Sequence, residues 1–273
     1  MQYGFKTLLI SFITFVLLCG SASAGTYIVN PQGSSDQNVI NQALNSAHQD
    51  GGGTVYLSAG VYTIDGPMYI WSNTKLTGDP DTIIRVSTSS SQWFQGSTGI
   101  ISCKESLKNV EICSFSIDGN IENLPWSYSD SRADTSHDCE KLMILGGYSN
   151  DFAENIKIHD MKLYNSFSDG IYLRYTTGET IYNNIISNCQ HEGIFLTGVT
   201  DGLIFDNKIA GIVSDCCRID MVSDVKFMAI SFSHSVGIAM EPIKAVNPVY
   251  RSPMVWLVMG ILIAVISQQQ RLI

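Results

Sequence analysis

The sequence has few charged residues, and it lacks the motifs of several common enzyme classes. Charged residues make up 15% of the 273 positions, and 16 Lys and Arg stand against 25 Asp and Glu, for a net charge of -9. Nucleic-acid affinity depends on lysine and arginine, so no nucleic-acid partner is expected. A glycine-rich phosphate loop, a metalloprotease motif, a Gly-x-Ser-x-Gly motif and a Cys-x-x-Cys pair are absent. Hydrophobic residues at 45% and 23 Gly against 7 Pro instead predict an ordered, β-rich chain with many tight turns.

The first 24 residues have the pattern of a secretory signal peptide. Lys6 is followed by an apolar run over residues 7–18, and then by the small residues Ala22, Ser23 and Ala24 at a cleavage site. We therefore expect residues 1–24 to be removed and the mature chain to be secreted, extracellular or at the cell surface.

Cleavage would leave an even number of cysteines, which are Cys103, Cys113, Cys139, Cys189, Cys216 and Cys217. An oxidising compartment permits disulfides, but the sequence does not choose among the many pairings that these residues allow. The alternative is that several of them are small buried hydrophobic residues.

The composition changes abruptly near Phe227. Residues 25–227 contain 24 acidic residues and 15 Asn, whereas residues 228–273 contain one of each. The tail includes an apolar run of 13 residues at 254–266, which is shorter than the roughly 17–25 residues of a membrane-spanning helix. Residues 228–273 are interpreted as a short anchor or as the product of a frameshift or truncation, and membrane contact is expected only if 254–266 anchors.

A 23-residue period between Ile158 and Asp220 decides the predicted architecture. Four apolar columns recur in register, and they are Ile158/Ile181/Ile204, Leu163/Ile186/Ile209, Ile171/Ile194/Cys217 and Leu173/Leu196/Ile219. Each unit holds two or three short strands separated by turn-forming residues, with no helical stretch between them. Such units stack as coils of a parallel β-helix, in which each inward column becomes a ladder in the core. We predict about seven coils over residues 54–227, with an inserted loop near residues 120–138.

Residues 25–53 are predicted to form an N-terminal segment with a capping helix. Asp36 can N-cap this helix, which ends at the glycine run 51–53. Its apolar stripe consists of Val39, Ile40, Ala43, Leu44 and Ala47. An amphipathic helix at this point would cover the open end of the solenoid core.

Four successive features resemble a known fold family. They are the helix, the glycine run, the strand at residues 54–57 (Thr-Val-Tyr-Leu) and the segment at residues 59–62 (Ala-Gly-Val-Tyr). They resemble the opening of the pectate-lyase-like superfamily of right-handed parallel β-helix proteins, and depart from it at Ser58, where proline is commoner. The resemblance covers about residues 36–227. It implies an all-β, right-handed parallel β-helix with an N-terminal capping α-helix, and a secreted protein that acts on or binds polysaccharides. The Asn- and Gly-rich coils are also similar to archaeal surface proteins related to disaggregatase.

One polar column of the repeat is acidic and contains Asp169, Glu192 and Asp215. Adjacent strands lie about 4.8 Å apart, so these side chains are expected to stack as a ladder. Stacked carboxylates repel one another unless a proton, a cation or a metal intervenes, which makes the three residues candidates for acid/base catalysis or for binding Ca²⁺. Their separations bracket the spacings of retaining and inverting glycosidases. Alternatively, each acid closes a turn by accepting backbone N–H groups.

His191 directly precedes Glu192 and is a further candidate catalytic residue. The segments His-Glu-Gly at 191–193 and Ser-Asp-Gly at 168–170 loosely resemble two motifs of polygalacturonase-like hydrolases. The match is partial, because Phe167 and Ser168 replace Asn and Thr and the paired Asp-Asp motif is missing.

An outward column beside the acidic one contains Tyr172, Phe195 and Arg218. Exposed aromatic rings offer stacking surfaces for sugars, and arginine offers bidentate contacts to uronate or sulfate. The alternative for the aromatic residues is packing under a loop. Arg174, in the next outward column, is a candidate lyase-type base or a neutralising partner of an acid.

The insertion at 120–138 contains Trp126 and Tyr128, which are candidate substrate-binding residues in a loop or cleft wall.

The leading hypothesis is a secreted carbohydrate-active protein that cleaves an acidic polysaccharide as a lyase or glycoside hydrolase. The partner would be a polysaccharide or a cell-surface glycan, and Ca²⁺ is the one candidate cofactor. The alternatives are a non-catalytic glycan-binding surface or adhesion module, and an inactive truncated gene product.

Overall fold

The computed structural model describes residues 25–88, 99–124, 141–233, 236–240 and 256–257. Short strands fill this part of the chain, together with helix α1 (Gln37–Gln49) and a 3₁₀ turn (Ile121–Asn123). The strands form three parallel sheets. The predicted signal peptide at 1–24, most of the insertion at 120–138 and most of the tail lie outside the described residues.

Sheet 1 contains ten strands, which are β1 (Gly25–Val29), β2 (Gly53–Leu57), β5 (Thr74–Gly78), β8 (Lys108–Cys113), β11 (Ala153–His159), β14 (Thr176–Thr177), β15 (Thr180–Tyr182), β18 (Leu203–Phe205), β21 (Lys226–Met228) and β24 (Trp256–Leu257). Sheet 2 contains seven strands, which are β3 (Gly60–Ile64), β6 (Thr82–Val86), β9 (Ser116–Asp118), β12 (Lys162–Ser166), β16 (Ile185–Cys189), β19 (Lys208–Ile212) and β22 (Ser231–Ser233). Sheet 3 contains seven strands, which are β4 (Met68–Tyr69), β7 (Gly99–Ser102), β10 (Lys141–Gly146), β13 (Ile171–Arg174), β17 (Ile194–Thr197), β20 (Asp215–Asp220) and β23 (Val236–Met240).

The chain visits the three sheets in the same order in every coil. Starting at β2, it runs from sheet 1 to sheet 2 to sheet 3, and it completes this circuit seven times by β23. Each strand pairs with its counterpart one coil away, and β1 adds a strand beside β2. The fold is a right-handed parallel β-helix, and the predicted number of about seven coils is confirmed.

The 23-residue register is confirmed by the strand pairing. Ile158, Ile181 and Ile204 are successive Cα partners in sheet 1, and all three are buried in the core. Ile171 and Ile194 are partners in sheet 3 and point inward in the same way. Each inward column therefore forms one continuous apolar ladder, and burial of these ladders is the main stabilising contribution to the solenoid.

The short turn between sheets 1 and 2 contains two polar features. Asp160, Asn183 and Asp206 adopt left-handed backbone conformations with φ of 53–56°, which Asn and Asp tolerate better than most residues. Behind them, the fully buried Asn184 and Asn207 stack, and Asn184 Nδ2 donates to Asn207 Oδ1 at 2.9 Å. This buried amide ladder was not anticipated. A second amide contact lies in sheet 2, where Asn188 Nδ2 donates to Asn165 Oδ1 at 2.7 Å.

Helix α1 packs over the first coil with Ile40, Leu44 and Ala47 buried, as the apolar stripe predicts. Asp36 occupies the N-cap position but makes no capping hydrogen bond with its side chain. The predicted N-cap position is therefore confirmed, but the side-chain cap is not made, because the buried carboxylate instead accepts the backbone N–H groups of Gln32 and Thr63, at 2.5 and 2.7 Å. The side chain thus joins the helix to the preceding segment and to strand β3.

The coil that contains Phe227 continues beyond this residue. Strand β22 pairs with β19, and β23 pairs with β20. In the second pair Ile238 is the Cα partner of Cys217, a step of 21 residues instead of 23, so Ile238 does not fall in the acidic column as a strict period would place it. Nowhere in the described part of the chain does a helix reach the length and apolar character that crossing a membrane requires.

The cysteines in the described residues are free thiols. Cys113, Cys189, Cys216 and Cys217 are buried and Cys103 is half-buried, and burial raises the pKa of the Cys189 and Cys217 thiols above the usual value. This agrees with the alternative to disulfide bonds, in which several of the cysteines are small buried hydrophobic residues. Cys139 lies outside the described residues.

Candidate functional site

The acidic column lies at the edge of sheet 3, where each coil enters a strand. Asp169 and Glu192 each precede a glycine that leads into β13 or β17, and Asp215 is the first residue of β20. A side chain on either glycine is excluded, because a β-carbon at Gly170 or Gly193 would lie 2.7 or 2.6 Å from the carbonyl oxygen of the next coil. The tight stacking of these turns brings the acidic residues of successive coils into contact.

Asp169 is buried and makes contacts with three groups. Its Oδ1 atom accepts a hydrogen bond from Nδ1 of His191 at 2.7 Å and one from the backbone N–H of Glu192 at 3.1 Å. Its Oδ2 atom faces Nζ of Lys141 at 3.6 Å. Burial acts to raise the pKa of Asp169, but the His191 hydrogen bond and the charges of Lys141 and His191 outweigh it, so the pKa lies below its usual value. Asp169 is therefore held as a carboxylate between His191 and Lys141.

Glu192 repeats this pattern one coil further on. Its Oε2 atom accepts the backbone N–H of Asp215 at 2.8 Å, and Oε1 accepts the hydroxyl of Ser214 at 3.3 Å. Oε1 also lies 3.4 Å from Nε2 of His191 and 3.8 Å from Nη1 of Arg218. Burial raises the pKa of Glu192 above its usual value, although the charge of His191 and the Asp215 N–H partly offset it. Both buried acids thus close turns by accepting backbone N–H groups, which is the alternative to a catalytic role that the sequence left open. Both also contact cationic side chains.

His191 is partly exposed, in contrast to the two buried acids that it contacts. Its side chain is 25% exposed, whereas those of Asp169 and Glu192 are 1% and 0% exposed. Burial acts to lower the pKa of His191, but the hydrogen bond and charge of Asp169 outweigh it, so the pKa lies above its usual value. The hydrogen bond at Nδ1 directs the second ring nitrogen, Nε2, away from Asp169 and toward Glu192 Oε1, at 3.4 Å.

The three acids do not converge on one point where a calcium ion could bind. Among the described residues, Asp169, Glu192 and Asp215 are not a group whose carboxylate oxygens all lie within 4.8 Å of one another. The physical reason is that His191, Lys141 and backbone N–H groups already occupy the oxygens of the two buried acids. The geometry therefore favours internal ion pairing over the calcium site that the ladder suggests.

The outward column of sheet 3 is a stack of rings and cations. The rings of Tyr172 and Phe195 are stacked with centroids 4.7 Å apart. Lys141 Nζ lies 5.5 Å from the Tyr172 ring, and the Arg218 guanidinium lies 5.3 Å from the Phe195 ring. The ring faces are therefore covered by each other and by cations, which corrects the expectation that they offer flat platforms for sugars. What a ligand could contact is the ring edges, the Tyr172 hydroxyl and the Arg218 guanidinium. The Arg218 side chain is 27% exposed, and its Nε atom also lies 3.4 Å from Asp220 Oδ2.

Arg174 does not approach Asp169. Its guanidinium instead lies 5.8 Å from the ring of Tyr148. Lys141 is the cation that neutralises Asp169, and it was missed because the coil before β13 is longer than the repeat: Met143 is the partner of Ile171, a step of 28 residues. Trp126 and Tyr128 lie outside the described residues.

The arrangement supplies a proton carrier, a fixed negative charge that orients it, and cations nearby. A surface histidine whose Nδ1 is bound by a buried carboxylate can exchange a proton through Nε2. Arg218 can pair with an anionic group of a ligand. Asp169 and Glu192 can act on a ligand only through these neighbours, because they are buried.

Comparisons with known proteins agree with this architecture. The mannuronan C5-epimerase AlgE1 of Azotobacter vinelandii is 28% identical over 202 residues, which cover 65% of this chain and 14% of that protein. Alginate lyase 7 of the same organism is 28% identical over 183 residues, covering 58% of this chain and 21% of that protein. The chain thus spans less than a quarter of the length of these two relatives.

Among solved structures, the A-module of the A. vinelandii mannuronan C-5 epimerase AlgE6 superposes with a TM-score of 0.65 at 19% identity, covering 78% of this chain and 58% of the module. This likeness shows the fold. The family described as rhamnogalacturonase A/epimerase, pectate lyase-like, matches residues 24–225, which include all but the last coil. The chain belongs to this family of pectate-lyase-like proteins.

Proposed function

We propose that this chain processes a uronate-containing polysaccharide by removing the proton from C5, the carbon that bears the uronate carboxyl group. The observation that carries the proposal is the 2.7 Å contact between Asp169 Oδ1 and His191 Nδ1, at a histidine that stays a quarter exposed. Removing that proton requires a base at the substrate and positive charge beside the carboxylate. His191 Nε2 is the base, and Arg218 supplies the positive charge.

Hydrolysis by two carboxyl groups fits the geometry less well. A glycosidase places one acid on the leaving oxygen and a second carboxyl group on the opposite side of the sugar, so both must reach the substrate. The side chains of Asp169 and Glu192 are 1% and 0% exposed, and each accepts a backbone N–H of the next coil. Proton abstraction needs a single exposed base and a cation, which this site has.

The names of the relatives support the same chemistry. A mannuronan C5-epimerase and an alginate lyase both match this chain at 28% identity. Epimerisation at C5 and β-elimination of a uronate begin with the same step, loss of the C5 proton. They differ in whether a proton is then added to the opposite face of C5 or the glycosidic oxygen leaves. The predicted signal peptide would bring the chain to an extracellular glycan, and secretion remains part of this proposal.

The test is exchange of the C5 proton in deuterium oxide. The full chain is incubated with polymannuronate or polygalacturonate, and NMR follows deuterium entry at C5 while ultraviolet absorbance follows unsaturated products. Wild type is expected to exchange or cleave one of these polymers, and His191→Gln to lose about 100-fold or more of this rate. His48→Gln is the matched control, because His48 lies on helix α1 and stacks on Trp71. Undiminished exchange in folded His191→Gln would overturn the role of His191.

A glycan-binding module is the second candidate. It is favoured by the finding that both buried acids serve as turn-closing acceptors. In that case the polymers would bind without exchange or cleavage, and Arg218→Gln would weaken binding. Binding measured by affinity electrophoresis, together with the exchange assay, separates the two candidates.

A further inference from the structure

Glu111, Cys113 and His159 meet on the outer face of sheet 1, away from the sheet 3 site. Glu111 and Cys113 are two positions apart on β8, so they point to the same face, and His159 on β11 is the Cα partner of Cys113. One ligand atom from each side chain lies within 4.8 Å of the others, and among the described residues no other such group of His, Cys, Asp or Glu occurs. We propose that these three residues form a zinc-binding site.

The spacing of the ligand atoms fits one tetrahedral ion. Glu111 Oε1 lies 3.4 Å from His159 Nε2 and 3.7 Å from Cys113 Sγ. A zinc ion with bonds of about 2.0–2.3 Å holds its ligand atoms about 3.3–3.8 Å apart. The three side chains can therefore bind one ion with small movements, and water fills the fourth position.

A second observation, outside the three ligands, points to the same site. Asp160 Oδ2 accepts the Nδ1 hydrogen of His159 at 2.6 Å, and the other oxygen of Asp160 accepts a hydrogen bond from Asn183. In the neutral tautomer that carries its hydrogen on Nδ1, the lone pair of Nε2 faces Glu111 and Cys113. Histidines that ligate metals usually carry such a carboxylate on the opposite nitrogen. Tyr182 stacks on His159 with ring centroids 4.6 Å apart and holds the ring in this orientation.

The chemistry of the three ligand side chains determines which metal ion the site prefers. A thiolate and an imidazole are poor ligands for Ca²⁺ and Mg²⁺, whereas cysteine, histidine and a carboxylate together are common zinc ligands. Binding converts the Cys113 thiol to a thiolate, and its proton leaves to solvent. Cys113 is 2% exposed, but the Glu111 side chain is 30% exposed and opens the site to solvent.

Lys75 is the group that competes with the ion. Its Nζ atom lies 2.5 Å from Glu111 Oε1, and its side chain is 42% exposed and free to turn into solvent. Because zinc and the ammonium group compete for one carboxylate, removal of Lys75 should strengthen zinc binding. The Lys75→Gln variant therefore tests the position of the ion by a gain of affinity, which general damage to the fold would not produce.

The experiment is a titration of the purified full chain, stripped of metal by a chelator, with Zn²⁺ against a fluorescent zinc indicator. One equivalent is expected to bind to wild type. Cys113→Ser and His159→Gln should each weaken binding by at least about tenfold, and Asp160→Asn by about tenfold through the second nitrogen of His159. Cys103→Ser is the matched control for removal of a thiol, since Cys103 contacts the carbonyl of Gly146 elsewhere on the molecule. Lys75→Gln should bind more tightly than wild type.

Cobalt provides an independent readout. Co²⁺ in place of zinc should show a thiolate-to-cobalt charge-transfer band that Cys103→Ser retains and Cys113→Ser lacks. If Cys113→Ser does not fold, His159→Gln and Asp160→Asn still decide the question. Zinc affinity unchanged in folded His159→Gln, or no zinc bound by wild type, would overturn the proposal.

Discussion

Glu179 Oε1 lies so close to Gly202, one coil further on, that a β-carbon at position 202 would be 1.9 Å from it. Glu179 is fully buried, and its Oε2 atom accepts the hydroxyl hydrogen of Thr176 at 2.9 Å. Within the described residues Oε1 has no hydrogen-bond partner. Burial, with a smaller effect of Asp201, raises the pKa of Glu179 to about 7. A carboxyl group that prefers to be neutral is thus built into the solenoid beside the turn that leads into β15.

The raised pKa predicts that this residue destabilises the fold as the pH rises. The folded state holds the proton up to about pH 7, whereas an unperturbed glutamate releases it near pH 4.5. The unfolding free energy should therefore fall by about 3 kcal/mol between these two pH values and level off above pH 7. Glu179→Gln should remove this decline and be more stable than wild type at pH 7.5. Urea denaturation across the range measures both effects, and Glu122→Gln, at an exposed glutamate, should keep the wild-type curve.

The contact between positions 179 and 202 predicts a specific coupling. Gly202→Ala should destabilise the protein by about 1–3 kcal/mol, because the new methyl group meets a buried carboxylate. In a Glu179→Ala background the obstacle is gone, so the same substitution should cost markedly less. A double-mutant cycle from denaturation curves gives the coupling energy. Equal costs in both backgrounds would show that the destabilisation arises elsewhere, for example at Val225, whose side chain would lie 3.3 Å from the added methyl group.

The buried amide ladder of Asn184 and Asn207 predicts that replacing one of these uncharged side chains lowers the unfolding free energy strongly. Asn207 accepts two hydrogen bonds from Asn184, at 3.1 and 2.9 Å, and donates to the carbonyl oxygens of Ile181 and Phe205. Asn207→Ala leaves these buried groups without partners, so we expect a loss of about 2–4 kcal/mol in unfolding free energy. Asn38→Ala, on the exposed side of helix α1, should change it by less than about 0.5 kcal/mol. If both substitutions changed the unfolding free energy by similarly small amounts, water would have to satisfy the groups that Asn207 binds.

The fold could be predicted because each coil contacts its neighbours through the same sequence positions. A residue such as Ile181 has partners one repeat away on either side, so the column Ile158/Ile181/Ile204 is visible in the sequence as a period. Prediction fails where the period fails. A step of 23 back from Asp169 reaches Gly146, whereas the longer coil places Lys141 beside the carboxylate.

The chemical state of the site could be predicted only in part. The repeat aligned Asp169 with Glu192, but not their burial, which depends on the backbone of the next coil closing over them. The orientation of the aromatic rings could not be predicted from the repeat either. Alternation along the strands places Tyr172 and Phe195 on the outer face, but only side-chain packing decides that the two rings stack on each other. The Asp169–His191 pair spans 22 residues, one short of the period, and thus fell between the columns.

The Asp169–His191 contact predicts the direction in which the His191 pKa responds to mutation. In wild type the pKa should exceed the ordinary 6.5, because the hydrogen bond and charge of Asp169 outweigh burial. In Asp169→Asn the amide oxygen can still accept the Glu192 N–H, but the negative charge is lost and burial and Lys141 both act to lower the pKa. The pKa should then fall below that of wild type, as measured by NMR titration of the imidazole signals.

The same substitution makes the link between protonation and activity testable. If His191 acts as a base it must be neutral, so activity should increase as the pH rises through its pKa, and the midpoint of this increase should move to lower pH in Asp169→Asn. Asp215→Asn is the matched control, because Asp215 is not among the groups that shift the His191 pKa. A shift of the imidazole titration without any shift of the activity midpoint would show that Asp169 positions His191 but that another group removes the proton.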